Sequence, residues 1–486
     1  MITLKKTLVY NTELNERRIL IKSLLQLFVV IIVLIVYFPV FGHDFLYFWD
    51  DQWVVMNRYT EGGFNIYNLW AIFTEYYHGQ YAPLNEMLYL ILYSLFGYDP
   101  FYFHLASLLL HVSSVLLVFA CVERFLLVNT KIQTAYPLLI AFFTALLFAV
   151  HPFNVESVAW MSASKILVYA FYYLLAMYSF LLYIHHKKIK YYIFTVLLFV
   201  CSFFGKEQAV TFPVFMLLIY WFTGYSFKDR RVWLTTAPLL ILSVVFGVVT
   251  MLSQAEAGGG ALSGEASYPL WQRLVYACYS FVEYLFKCIF PFKLSYLYPF
   301  PSVVGDALPS WLLVYPGLLT IALIAFGKYI WKNSVLLFSL IFFLIHLAVA
   351  LHLIPLSRFA VVADRYAYIS SIGVCFALSY GVVHLFKTCG KKMRIIVSIL
   401  FGCYVLYLGV YSNLRSRVWY NTDTLKRELR IILKEREDYQ DRNRWKDYNM
   451  QYQEKGKDIG NRENIENKEI ENKEIKNTKI ENTKNN

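Results

Sequence analysis

The sequence predicts an all-α polytopic membrane protein, a bundle of about eleven transmembrane helices with one large extracytoplasmic loop after the first. Three observations carry that prediction. The 486 residues are 58% apolar and only 16% charged, with a mean hydropathy of +0.47, which excludes a water-soluble enzyme of this length. Charge is concentrated at the end: the 74 residues from Asn413 hold 18 Lys/Arg and 15 Asp/Glu, which leaves the first 412 sparsely charged. Between those limits, apolar runs recur at lengths suited to crossing ~30 Å of hydrocarbon.

Residues 1–23 form a basic N-terminus with Lys5, Lys6, Arg17, Arg18 and Lys22. The first apolar run, 24–41, has no small-residue cleavage site after it and reads as a retained anchor rather than a signal peptide. Further runs follow at 101–122, 135–150, 166–184, 190–204, 208–223, 232–252, 311–326, 334–353, 367–386 and 395–412. Positive clusters at Arg124 and Lys131, Lys187 to Lys190, Lys228 to Arg231, Lys328 and Lys332, and Lys387 to Arg394 fall in alternate loops, so the N-terminus is expected in the cytoplasm and the C-terminus outside. Residues 270–290 are apolar but carry Glu283 and Lys287. A span there would put the cluster at Lys387 outside, so a helix lying on the outer surface is expected.

The loop 42–100 contains Trp49, Trp53, Trp70 and many tyrosines, a composition that settles at a membrane interface. A second outer loop, 253–267, carries Gly258-Gly259-Gly260 and is expected to be mobile, as lids are. After the transmembrane domain, 24–412, the segment 413–453 is charged with spaced apolar residues and suits an amphipathic helix. In 454–486, near-repeats of Ile-Glu-Asn-Lys-Glu have a period of five, which fits neither helix nor strand, and disorder is expected. The seven cysteines form no CxxC and read as free thiols. The net charge of +12 is scattered in short clusters with no basic stripe, so nucleic acid is not an expected partner, whereas the lipid bilayer is.

Ionisable residues near lipid are costly, and five groups of them stand at the outer ends of the runs. Asp50 and Asp51, between Trp49 and Trp53, are adjacent carboxylates that raise each other's pKa; the first is a candidate general base, and a helix-capping pair is the plainer alternative. Adjacent acids are poorly placed to flank a glycosidic bond, which disfavours a glycosidase. Tyr81 follows in Tyr81-Ala82-Pro83-Leu84-Asn85, then His104 and His111, which share a helix face but lack the spacing that chelates a metal well. His151, Glu156 and Lys165 cluster at the end of the third run, and Lys206 with Glu207 is either a neutralised turn or part of a site. In Arg358 to Tyr366, the cation of Arg365 needs an anion, which Asp364 supplies locally or a phosphate supplies functionally. These groups favour one outward-facing site over five separate ion pairs.

Read in order, the blocks resemble the transmembrane and tetratricopeptide-repeat O-mannosyltransferase family, through a bacterial relative, within the GT-C superfamily of glycosyltransferases. The matching elements are Trp49-Asp50-Asp51, Tyr81-Ala82-Pro83-Leu84, Phe103-His104 with Leu110-His111, Phe148-Ala149-Val150-His151-Pro152 with Glu156-Ser157-Val158-Ala159, Gly205-Lys206-Glu207, and Ala363-Asp364-Arg365-Tyr366 with Ser371-Ile372-Gly373. Two departures stand out: Ala82 occupies the place of the family's usual arginine, and the tail shows no 34-residue repeat.

The resemblance implies a GT-C-type bundle that transfers a hexose, mannose-like, from a polyprenyl-phosphate donor to an acceptor hydroxyl on the extracytoplasmic face with inversion, most simply in protein O-glycosylation. Asp50 would be the base and Asp51 would orient the acceptor or tune its neighbour. Arg365, Lys206 and Arg358 would hold the donor phosphate, with Tyr81, His104, His111, His151, Glu156, Lys165, Glu207, Asp364 and Tyr366 lining the site. No cofactor is required, because two cations can neutralise a single phosphate; a divalent metal is conceivable but not indicated. The alternatives are transfer to a lipid or envelope glycan, and a transporter or flippase, which would place its charges near mid-membrane and show inverted repeats. A bacterial plasma membrane is the expected location.

Overall fold

The computed structural model describes residues 2–258, 262, 267–302, 304–354 and 360–434. The chain divides into two compact units, 1–426 and 427–486, and the first holds every element below. The compact unit therefore extends past the boundary at 412 that hydropathy suggested. The last long helix, Lys391–Ser416, runs on through it, Asn413 donates to the Val36 carbonyl at 2.9 Å, and the Trp419 ring stacks on Trp160 at 5.4 Å. The repeats of 454–486 lie outside the described residues, as does 435–453.

All eleven apolar runs are helical. Among the described residues seven helices are long and apolar enough to cross a membrane, and an eighth arises if the bent pair Pro137–Val150 and Pro152–Ala159 is one span. Three shorter apolar helices, Ile189–Phe203, Glu207–Phe222 and Ser334–Ala350, complete the set. The chain is thus an all-helical polytopic membrane protein; its only described sheet joins Tyr298–Pro299 to Ala360–Val362, antiparallel.

Local chemistry explains the helix starts. Proline opens Pro83–Phe96, Pro100–Val128 and Pro137–Val150, where its missing N–H costs nothing. Asp99 caps the second of these through the Phe101 amide at 3.0 Å, and Asn333 and Asp229 cap Ser334–Leu347 and Arg230–Glu256. Packing then sorts them. Pro137–Val150 and Ser164–His186 are buried along most of their length, whereas Ser310–Lys332 leaves Ile321, Leu323 and Ile324 exposed, a surface only lipid tails can solvate.

Leu270–Ile289 is not among the helices that qualify as spans by length and hydropathy. Its Glu283 and Lys287 pair at 3.1 Å, and Tyr284 and Ser280 bond the backbone of Ala363 and Val361 at 3.2 and 3.0 Å. The loop after Arg230–Glu256 is shorter than expected, since helix continues to Glu256; of its glycines, Gly259 and Gly260 lie outside the described residues.

Candidate active site

The site forms where the head of the bundle meets the first loop. The first helix ends in a 3-10 turn at Phe38–Gly42, and Phe48, at φ 61°, reverses the chain so that Asp50 precedes the short helix Asp51–Val54. The two adjacent acids then diverge. Asp51 is fully buried and accepts from the Leu46 amide at 2.8 Å, the Ser162 amide at 3.1 Å and the Ser162 hydroxyl. Asp50 is half-buried, takes a hydrogen bond from the Trp53 indole, and faces the charges of Lys165 and Arg365. Burial raises its pKa against the pull of those two cations, and burial pushes Asp51 up to about 6.

A bend of 53° at Pro152 turns the chain after the third run and directs Glu156 into the head of the bundle. Glu156 is the ion-pair partner of Arg365 and also accepts the Arg365 backbone amide at 2.8 Å. The guanidinium lies over the rings of Trp160 and Tyr366 at 5.2 and 4.9 Å. Lys206 pairs with Glu207 at 3.3 Å and stands 5.6 Å from the Tyr366 ring centroid. Lys165, bonded to Gln80, has Asp50, Arg365, Lys206 and Glu207 as its charged neighbours. Asp50, Glu156, Lys165, Lys206, Glu207 and Arg365 therefore make one cluster of three acids and three cations, gathered from four separate parts of the chain.

The anion beside Arg365 is Glu156, where Asp364 was the local candidate. Asp364 has another partner: its carboxylate accepts the Tyr298 hydroxyl at 3.0 Å, and burial and the charge of Glu156 raise its pKa while Arg415 and Lys287 oppose that shift. Asp51, buried and held by its three donors, braces the loop that carries Asp50. Arg358 lies outside the described residues.

The histidines are frame rather than cluster. His111 Nδ1 meets the Tyr368 hydroxyl at 2.7 Å. His151 Nδ1 accepts the Phe153 amide at 3.1 Å, which leaves Nε2–H to donate to the Cys288 carbonyl at 2.8 Å. His104 packs edge-on against His43 with ring centroids 5.6 Å apart. Tyr81 donates to the Phe73 carbonyl at 2.8 Å and lines a cleft beside the cluster with Trp53, Gln80 and Glu86.

Glu86, Gln80 and Trp160 escaped the sequence reading, although each lies next to a block that was singled out. Burial pushes Glu86 up to about 7; it accepts from Asn57 at 2.9 Å and feels the charge of Lys165. Their signal was position: Gln80 precedes Tyr81, Glu86 follows Asn85, and Trp160 follows Ala159.

No family model matches the chain. Over 121 residues it is 31% identical to the protein O-mannosyl-transferase TMTC1 of Homo sapiens, covering 23% of this chain and 13% of the human protein. The same protein of Mus musculus is 31% identical over 121 residues, 12% of its length. Over that stretch this chain is similar to the protein O-mannosyl-transferases. The chain thus matches only about an eighth of the curated relatives' length. Among solved structures, ArnT from Cupriavidus metallidurans, solved bound to undecaprenyl phosphate, aligns over 81% of this chain and 75% of that one, with a TM-score of 0.41 and 12% identity. The likeness to O-mannosyl-transferases in sequence stands beside a cluster that pairs a carboxylate of raised proton affinity with three cations. Such a cluster can take a proton at one edge and steady an anion at the other.

Proposed function

We propose that this chain is an integral membrane glycosyltransferase of the GT-C type that moves a hexose from a polyprenyl-phosphate donor to an acceptor hydroxyl on the extracytoplasmic face, with inversion. The observation that carries the reading is Asp50, a half-buried carboxylate facing Lys165 and Arg365 at the head of an all-helical bundle. Support comes from the sequence likeness to protein O-mannosyl-transferases and from apolar helix surfaces able to solvate a polyprenyl tail.

In this reading the donor phosphodiester sits between Arg365 and Lys206, with Tyr366 beneath both. The acceptor hydroxyl approaches the anomeric carbon from the side opposite the phosphate. As the acceptor O–C1 bond forms, the C1–O bond to phosphate breaks and its electrons stay with the phosphate, which gains one negative charge. The acceptor proton passes to Asp50, which loses one. Total charge within the cluster is unchanged, so the step needs little rearrangement of the surrounding dipoles. Glu156 fixes the guanidinium of Arg365 so that it meets the departing phosphate in one orientation. Two cations then perform the neutralisation, and no metal is called for. A mannose-like sugar, a protein acceptor, the N-terminus in the cytoplasm and a bacterial plasma membrane complete the proposal.

The test compares membranes holding the wild type with membranes holding Asp50→Asn, each supplied with radiolabelled polyprenyl-phosphate mannose or glucose. The label is followed into protein, lipid and glycan fractions. Transfer by the wild type that falls about 10²-fold or more in the mutant at equal expression supports the reading, and the labelled fraction identifies the acceptor. Equal transfer by both overturns Asp50 as the base; no transfer from any donor overturns the activity.

A further inference from the structure

A second charged cavity lies at the opposite end of the bundle. The first helix runs from Arg18 and Lys22 there to its end at Tyr37, and Pro100–Val128 ends there, so it is a full span away from Asp50. The cavity encloses about 610 Å³ including its mouth and is lined by Arg18, Lys22, Arg124, Glu123 and Tyr178. Glu123 is buried near the end of its helix, where an unpaired acid is costly, and it is answered twice: by Lys22 at 2.5 Å and by Arg18 at 3.6 Å. One carboxylate thus anchors two cations, and Arg124 adds a third that has no share in those two pairs. The charged lining keeps a net of two positive charges facing a polar opening.

The walls are amphiphilic in one direction. Ile19 and Leu127 border the cations, and both are exposed. From Ile19 the exposed apolar strip continues along the first helix through Leu20, Leu24 and Leu27. Cations at the rim that pass directly into lipid-facing apolar surface match a phosphate head carried on acyl chains, whereas a soluble anion has no use for the strip.

We infer that Arg18, Lys22 and Arg124 form a binding site for the phosphate headgroup of an anionic phospholipid, in the leaflet opposite the Asp50 cluster, with its acyl chains along the first helix. On the orientation proposed above this is the cytoplasmic leaflet, but the site itself depends on neither the orientation nor the transferase reading. It is separate from the donor phosphate: Arg365 and Lys206 belong to the other end of the bundle. Glu123 keeps Lys22 and Arg18 extended toward the rim, and Arg124 supplies charge not already matched by that acid.

The experiment uses the full chain in detergent micelles, incubated with dioleoylphosphatidylglycerol or dioleoylphosphatidylcholine and examined by native mass spectrometry. The wild type is expected to retain phosphatidylglycerol about fivefold better than phosphatidylcholine, and millimolar inorganic phosphate should not displace it. Arg124→Gln leaves both Glu123 pairs in place and is expected to remove most of that preference; Arg124→Lys should restore it. Equal retention of the two lipids by the wild type overturns the inference, as does an unchanged preference in Arg124→Gln. Displacement by inorganic phosphate also overturns it, because the site would then be one for a soluble anion. The Asp50→Asn chain should bind like the wild type, so a failed transferase assay leaves this result standing.

Discussion

The carboxylate of Glu156 receives both the guanidinium and the backbone amide of Arg365, the amide at 2.8 Å, across 209 residues of sequence. One acid therefore determines where the Arg365 side chain points and where its loop begins. Removing one partner leaves a buried charge without its counter-ion. Arg365→Gln is expected to cost roughly 3 kcal/mol of stability, and pairing it with Glu156→Gln should recover most of that loss. Thermal unfolding in detergent checks the stability, and the transfer assay separates the roles: the double variant should regain its fold and remain inactive.

Asp51 and Asp50 should part company when mutated. Asp51→Ala strands the Leu46 and Ser162 donors in a buried setting, at a cost of about 2–4 kcal/mol, and should lower the unfolding midpoint. Asp50→Asn should leave the midpoint near that of the wild type while transfer collapses. A reversed pattern, with Asp50→Asn unfolding and Asp51→Ala stable, would contradict the arrangement described.

Gly205 precedes Lys206 in a turn with no room for a side chain. A Cβ there would stand 2.6 Å from the Tyr169 amide nitrogen and 2.8 Å from its Cα, both backbone atoms that cannot swing aside. Gly205→Ala should therefore displace Lys206 and weaken donor use, read as a higher KM for the polyprenyl-phosphate sugar. Gly42→Ala meets nothing within 4 Å and serves as the silent control.

The first loop carries a pH dependence of defined sign. Burial pushes Asp51 up to about 6 and Glu86 up to about 7, whereas both ionise near 4 in an unfolded chain. The folded state thus holds protons that the unfolded state has released, so their contribution to stability is full below about pH 4 and is lost as pH rises toward 7. The wild-type unfolding midpoint should fall more steeply over that interval than that of Asp51→Asn, whose side chain cannot ionise. Parallel midpoints would show that Asp51 is not the group responsible.

How much of this was legible beforehand depended on the range over which each feature is encoded. Every apolar run became a helix because hydropathy and length are local properties, and solvation by lipid leaves the backbone no alternative to internal hydrogen bonding. Asp50, Lys206, Glu207 and Arg365 were found for a related reason: charge at the edge of an apolar run stands out without any knowledge of its partner. Trp160 and Glu86 did not stand out, since an aromatic and an acid beside a loop are ordinary until their neighbours are known.

The sequence by itself determined a helical membrane bundle and the residue types able to carry chemistry at one of its ends. Only the tertiary structure decided the pairings. It set Glu156 rather than Asp364 against Arg365, turned Asp51 inward and Asp50 toward Lys165, and drew His111 and His151 into the frame of the bundle. The physical reason is distance along the chain: the bend at Pro152 and the strand at Ala360–Val362 carry Glu156 and Arg365 to one place, and no local pattern records where two such segments will meet.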